Sequence, residues 1–305
     1  MTALTVQRGY DKIATFLGHS ANGLDEVERR LDSIAERLRR AERQAQQLEA
    51  QVGDLYGPDS YELVRELHDK GRKHVYRIQG LPNVPQDWSL DLGEILYRLR
   101  SALDQAVNAA GLCHALRTGG AWADKAEFPV YWDRAEYANK GRKKIGTVDP
   151  HVLRVIEDAQ PLRLLYPKRD WLWLTHDLNN IDKHRRIHIL IISVDAAGYA
   201  IPYVSGHGYV EPLDWMKRKP IQNGDVVLRY TFPRPHPEID LDPKLHIAPV
   251  IDYPEVGRHG LSSDLGGLVV QVAELTLKTV RADPWLRSWS PFVTTHRSPA
   301  RHAKE

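Results

Sequence analysis

Cysteine occurs once in the 305 residues, at Cys113, so no disulfide can close within the chain and no metal site can be built from several thiolates. Charge of a single sign is lacking too. The 42 lysines and arginines against 40 aspartates and glutamates leave a formal charge of +2, so a basic surface for nucleic acid would have to be local. Long apolar runs are missing. The longest, Ile187 to Ile192, is interrupted by His188 and has strand length, whereas a membrane helix needs about 20 apolar residues. Met1 to Ser20 carries Arg8, Asp11 and Lys12 and lacks the apolar core of a signal peptide. With the lone cysteine, this sets the expectation of a cytoplasmic protein without a membrane partner. No Gly-x-Ser-x-Gly elbow is present, which excludes the common nucleophilic hydrolases. Ser205-Gly206-His207-Gly208 has no helix start after it and Gly266-Gly267 falls inside a helical pattern, so neither makes a phosphate-binding loop.

What is present begins with a seam. Leu24, Val27, Leu31, Ile34, Leu38, Ala41, Ala45, Leu48, Val52 and Leu55 alternate spacings of three and four, which predicts one long helix over 21–56. Such a seam either packs on its own chain or pairs with a second copy, as a homodimer through Leu24 to Leu55. After Gly57-Pro58-Asp59, Tyr61 to Leu67 and Lys73 to Gln79 read as a hairpin. Asp91 and Glu94 are spaced as a capping box for a second helix that turns Leu92, Ile95, Leu96, Leu99, Leu103, Ala106 and Ala110 inward. Helices are expected over Pro150 to Ala159 and from Asp170. The period then becomes extended. Ile187 to Val194, Tyr199 to Val204 and Val226 to Phe232 read as strands, Leu245 to Ile251 as a weaker one broken by Pro249, and a last helix ends near Pro284. This is an α+β fold, with long amphipathic helices packed on a mainly antiparallel sheet. The expected plan is a tail over 1–20, the long helix over 21–56, one α+β domain over 57–284 that turns from helical to sheet-rich at 185/186, and a flexible basic tail over 285–305.

The chemistry-bearing residues fall into two stripes. Tyr97, Arg100, Asp104 and Asn108 recur at helical spacing opposite the leucine face, with Arg100 and Asp104 placed to pair. On a solvated surface that pair is worth only tenths of a kcal/mol. Asn179-Asn180-Ile181-Asp182-Lys183-His184-Arg185-Arg186 is a polar run between apolar segments, at an expected helix-to-strand junction where amides and charges need partners. If the helix from Asp170 runs past Asn180, then Trp173, Asp177, Asn180 and His184 share a face beside Asp182 and Arg185. Read as a site, His184 exchanges a proton, Asp182 or Asp177 orients it, and Arg185 or Arg100 grips a phosphate through its planar fork. Read as a lock, Asn179 and Asn180 satisfy the helix end while Asp182 pairs with Arg185. Both readings stand at this level. His176, His184 and His188 with Asp182 have no ordered ligand spacing, so no metal and no cofactor is assigned. Basic clusters such as Arg29-Arg30, Arg39-Arg40 and Arg142-Lys143-Lys144 would form a nucleic-acid groove only by converging.

The phrase Leu99-Arg100-Ser101-Ala102-Leu103-Asp104, followed by Glu127-Phe128-Pro129, Gln160-Pro161 and Asp182-Lys183-His184-Arg185, resembles the motif series of a group of bacterial proteins of unassigned function, over roughly residues 60 to 195. A second likeness is to the HEPN superfamily of helical domains, many of them metal-independent ribonucleases. Its signature is an arginine followed four to six residues later by a histidine. Arg100 is placed for it, but Asp104 and Gln105 follow, so His184 would have to stand in. The likeness implies binding of RNA or another phosphate-bearing ligand through Arg100, Asp104, Asp182 and His184, with Arg185, Asn180 and Tyr97 as further contacts. Cleavage would use His184 as acid or base and an arginine at the developing charge. The alternative is a non-enzymatic scaffold that oligomerises through the N-terminal helix.

Overall fold

The computed structural model describes residues 21–57, 59–185, 187, 189–195, 209–210, 220–239, 246–253 and 257–289. In order, the elements are α1 (Ala21–Leu55), β1 (Glu62–His68), β2 (Lys73–Gln79), α2 (Asp87–Thr118), α3 (Pro150–Asp158), α4 (Trp171–His184), β3 (Ile189–Asp195), β4 (Tyr209–Val210), β5 (Val226–Thr231), β6 (His246–Tyr253), β7 (Gly257–Gly260) and α5 (Leu261–Ala282). The fold is α+β. No helix among the described residues is long and apolar enough to cross a membrane. The expected strand over 199–204, the glycine pattern at 205–208, His188 and both chain ends lie outside the described residues.

The chain divides into two interleaved units. One is formed by the segment ending at Ala45, by Leu92–Arg186 and by the segment from Gly266; the other by Gln46–Asp91 and Ile187–Leu265. The switch at residue 186 is where the sequence period changes, but the hairpin of β1 and β2 belongs to the sheet unit, so helical and sheet-rich parts are not consecutive. In that unit the strands run in the order β1-β2-β5-β4 and β3-β6-β7, with antiparallel pairing throughout. Tyr76, Leu228, Tyr230 and Phe232 form a buried cluster on the first sheet, with Leu63 and Ile239 against it. β6 continues through Pro249, which opposes Ile191. Pairing of β6 with β7 starts one residue later, at Val250 with Gly260, so at Pro249 that side of the strand is an edge and needs no ladder donor.

The helical unit is organised around α2. Leu92, Ile95, Leu96, Leu99, Ala102, Leu103, Ala106 and Val107 are all fully buried and form one broad apolar face, while Glu94 and Tyr97 on the other side are exposed. The expected solvated stripe on this helix is therefore corrected in part: Arg100 and Asn108 are only 7% and 4% exposed, whereas Tyr97 faces solvent and Asp104 is half-buried. The expected capping box is corrected too. α2 starts at Asp87, before Asp91, because buried Trp88 carries the helix back toward Pro85; Glu94 instead accepts hydrogen bonds from Gln44 and Arg98, both at 3.0 Å. At the other end of this unit Leu286 is buried, so ordered chain extends past the expected tail boundary at 285.

The seam of α1 is buried from Val27 to Val52 within the single chain. Its apolar faces are already covered, which corrects the expectation of a homodimer through Leu24 to Leu55. The exposed side is charged and locally neutralised: Arg29 and Arg30 pair with Glu26, and Arg39 and Arg40 with Glu36. A Leu38→Ala substitution should cost about 2–5 kcal/mol. Melting of wild type and variant should not change over a hundredfold range of protein concentration, whereas a seam shared between two copies would make it concentration-dependent.

Candidate functional site

Between α2 and α3 the chain pairs with no strand; its helical turns over 134–145 satisfy their own backbone, and side chains take up backbone groups around Asp124, Phe128, Pro129 and Tyr131. Three buried polar residues do this. Arg100 donates through Nη2 to the Phe128 carbonyl (2.6 Å) and to Asp104 Oδ1 (2.9 Å), and the Phe128 N–H donates to the same carboxylate (2.8 Å). Gln160 donates to the carbonyls of Pro129 (2.8 Å) and Ile156 (3.0 Å) and accepts from the Tyr131 N–H (3.1 Å). Asn108 donates to the Asp124 carbonyl (2.7 Å) and accepts from Arg30 (2.7 Å). Three of the four recurring phrases, Leu99 to Asp104, Glu127-Phe128-Pro129 and Gln160-Pro161, thus meet in space as a clamp and the chain it grips. Burial pushes the Asp104 carboxyl above its ordinary range despite the opposing pull of Arg100.

The clamp leaves one part of Arg100 unused. Its Nη1 is buried and has no hydrogen-bonding partner among the described residues. The same holds for Trp173 Nε1, His176 Nδ1 and Asn179 Nδ2, which recur every third residue along one side of α4. α4 starts at Asp170, whose carboxylate accepts from the N–H groups of Leu172 (2.9 Å) and Trp173 (3.4 Å), and it runs to His184. Trp173 lies edge-on to Trp132, with centroids 6.5 Å apart, and 6.0 Å from the His176 ring. Asn180 donates to His176 Nε2 (3.1 Å), which leaves the ring proton on Nδ1 and makes that atom a donor. Burial, and after it the charges of Arg100, Lys144 and Lys183, push the His176 pKa down to about 3. His176 is therefore neutral at physiological pH. The histidine near Arg100 is this one.

The remaining expected site residues are placed elsewhere. His184 and Arg185 are exposed, and His184 is about 12 Å farther along the helix axis than His176. Asp182 packs against Gly93 of α2, where a Cβ would collide with its carboxylate, and burial pushes its pKa up. Among the described residues no ion pair joins Asp182 to Arg185. Tyr97 is 52% exposed with the Arg37 guanidinium 6.0 Å from its ring centre. Gln105, in the amide orientation that pairs both its atoms, donates to Ser33 (3.0 Å) and accepts from Arg37 (2.9 Å). The position that would carry the HEPN histidine is thus bound to α1. Arg100 is brought together with Asp104, and its charge reaches His176, whose side chain Asn180 contacts. No group of three or more potential metal ligands occurs among the described residues. His176, Trp173 and Asn179 were not singled out together from sequence; their spacing of three along α4 is the signal that pointed there. Comparison of the chain with known protein families, curated proteins and solved structures gives no match.

The depressed pKa of His176 carries a stability consequence. The unfolded chain takes up a proton near pH 6.5 that the folded chain refuses until about pH 3, so stability is lost as pH falls through that window. Between pH 7 and pH 4 the wild type should lose on the order of 3 kcal/mol more than His176→Gln in denaturant titrations. Parallel profiles would remove His176 from the buried neutral state.

Proposed function

We propose that this chain binds an anionic, phosphate-bearing ligand and holds it without cleaving it. The observation that carries the reading is the unpartnered Nη1 of buried Arg100, accompanied by the equally unpartnered Trp173, His176 and Asn179 donors. Every one of these atoms offers a proton. Buried donors left without acceptors are costly, so the cluster favours a group that brings several acceptor oxygens and a negative charge. A phosphate does both, and hydrogen bonds from a guanidinium to phosphate are among the strong ones.

Proton transfer finds little support in this geometry. His176 has its Nε2 engaged by Asn180 and a pKa of about 3, which makes it a poor base at neutral pH and leaves no imidazolium there to act as an acid. His184, the residue expected to act, has the exposure and ordinary surroundings of a surface group. Exposed Lys183, His184 and Arg185 at the end of α4 and exposed Tyr97 would instead extend contact to a longer ligand such as RNA, through charge and stacking.

The test titrates the protein with inorganic phosphate, AMP and a short single-stranded RNA, following the melting temperature and the indole N–H resonance of Trp173. Binding should weaken roughly tenfold in Trp173→Phe, which keeps an aromatic side chain but deletes the indole N–H. His184→Ala should leave phosphate affinity unchanged and lower only that of RNA, and the RNA should be recovered intact. Absence of binding by all three ligands at millimolar concentration, or equal affinity in folded Trp173→Phe, would refute the reading.

A further inference from the structure

A second polar site opens in the helical unit at the start of α4. It is a cleft of about 500 Å³, walled by Tyr137, Glu157, Asp158, Leu164, Asp170 and Trp171 among others, a size typical of small-molecule sites. Tyr137 is the best-defined part of its wall. The residue sits in a π-helical turn, Tyr137–Gly141, a wide turn of the kind found often at functional sites. A Cβ at Gly141 would lie 2.6 Å from the Tyr137 ring and 3.1 Å from that of Tyr131, so the bare backbone there is what admits the two rings, packed edge to face at 6.3 Å. Tyr137 is 6% exposed, and its hydroxyl is buried with no hydrogen-bonding partner among the described residues. Burial pushes its pKa up to about 12, so the hydroxyl keeps its proton throughout the neutral range.

The charges of the lining are unbalanced. Glu157, Asp158 and Asp170 face one guanidinium, that of exposed Arg134. Glu157 is neutralised by Arg142 at 3.1 Å. Asp158 and Asp170 have no such partner among the described residues. One oxygen of Asp170 caps α4, and burial pushes its pKa up with only backbone N–H groups pulling it back down. Leu164, 49% exposed, and Trp171 supply apolar surface beside these carboxylates. A partner for this lining needs a positive charge for Asp158 and Asp170, a short apolar body, and a polar atom to reach the Tyr137 hydroxyl.

We propose that the cleft binds a small organic cation, an ammonium on a compact apolar body, with Asp158 and Asp170 as counter-charges and the Tyr137 hydroxyl as its fixed hydrogen-bonding partner. The site is independent of the Arg100 cluster, and neither reading needs the other. Tyramine tests it, with 4-ethylphenol as the neutral molecule of nearly the same shape, in calorimetric titrations of the full chain. Tyramine should bind at least tenfold more tightly than 4-ethylphenol, about the effect of one charge-assisted contact. Tyr137→Phe and Asp158→Asn should each weaken tyramine by roughly three- to tenfold. Asp158 is exposed, so its variant carries the test even if Tyr137→Phe fails to fold. Equal binding of the two molecules, no binding of tyramine at about 5 mM, or unchanged affinity in the folded variants would overturn the proposal.

Discussion

The grip of Arg100 and Asp104 on the two backbone groups of Phe128 is the constraint on which the helical unit depends. An irregular stretch from Phe128 to Val130 is buried against the apolar face of α2, and the Phe128 N–H and C=O have no strand to pair with. Leaving such groups bare costs roughly 1–3 kcal/mol each. Charge is one of the few devices that can satisfy a carbonyl and an amide of one residue together, since the guanidinium offers donors and the carboxylate accepts. Removing Asp104 would strand the buried Arg100 guanidinium and the Phe128 N–H, an effect that approaches the about 3–5 kcal/mol of a fully buried pair only in part, because the Asp104 carboxylate is half-buried. Gln160 and Asn108 repeat the principle with neutral amides farther along the same segment.

A buried cation changes the chemistry of whatever lies beside it. Arg100 reinforces the desolvation that keeps His176 neutral, so a residue type usually associated with proton transfer becomes a fixed donor. Asn180 completes the change by occupying the acceptor nitrogen. The arrangement moves the centre of interest on α4 about two turns toward its N-terminus, from His184 to His176. It also weakens the case for acid–base work at His176, because its ring offers a donor and holds its acceptor engaged.

The parts of this fold that were legible in the sequence are those with a period. The three-and-four spacing from Leu24 to Leu55 produced α1, and the persistence of helical spacing beyond Asn180 matched an α4 that runs to His184. The stripe Tyr97, Arg100, Asp104 and Asn108 had the right register and the wrong surroundings. What covers it is the segment around Phe128, which has no periodicity to announce its position, so burial of Arg100 could not be foreseen. Asp182 was similarly readable as a partner for Arg185, whereas its actual neighbour is Gly93, 89 positions away in α2 and visible only as a missing Cβ. Three separated phrases in the chain are one object in space, which is why their roles could not be assigned singly.

Helix α4 carries both polar sites, which raises the question of how far one can influence the other. Asp170 lines the cleft and caps the helix on which Trp173 and His176 stand. A cation drawn to Asp170 acts on the arginine-side donors only by strengthening or loosening that cap. An N-cap is worth about 1 kcal/mol, up to about 2. Coupling carried by that cap is bounded by the cap's free energy, so occupancy of one could change affinity at the other by roughly thirtyfold at most through this route. Arg100 is held by Phe128 and Asp104 rather than by the helix cap, and its charge stays in place whatever happens in the cleft. The clamp that organises the helical unit thus holds the Arg100 charge independently of the carboxylate-lined cleft.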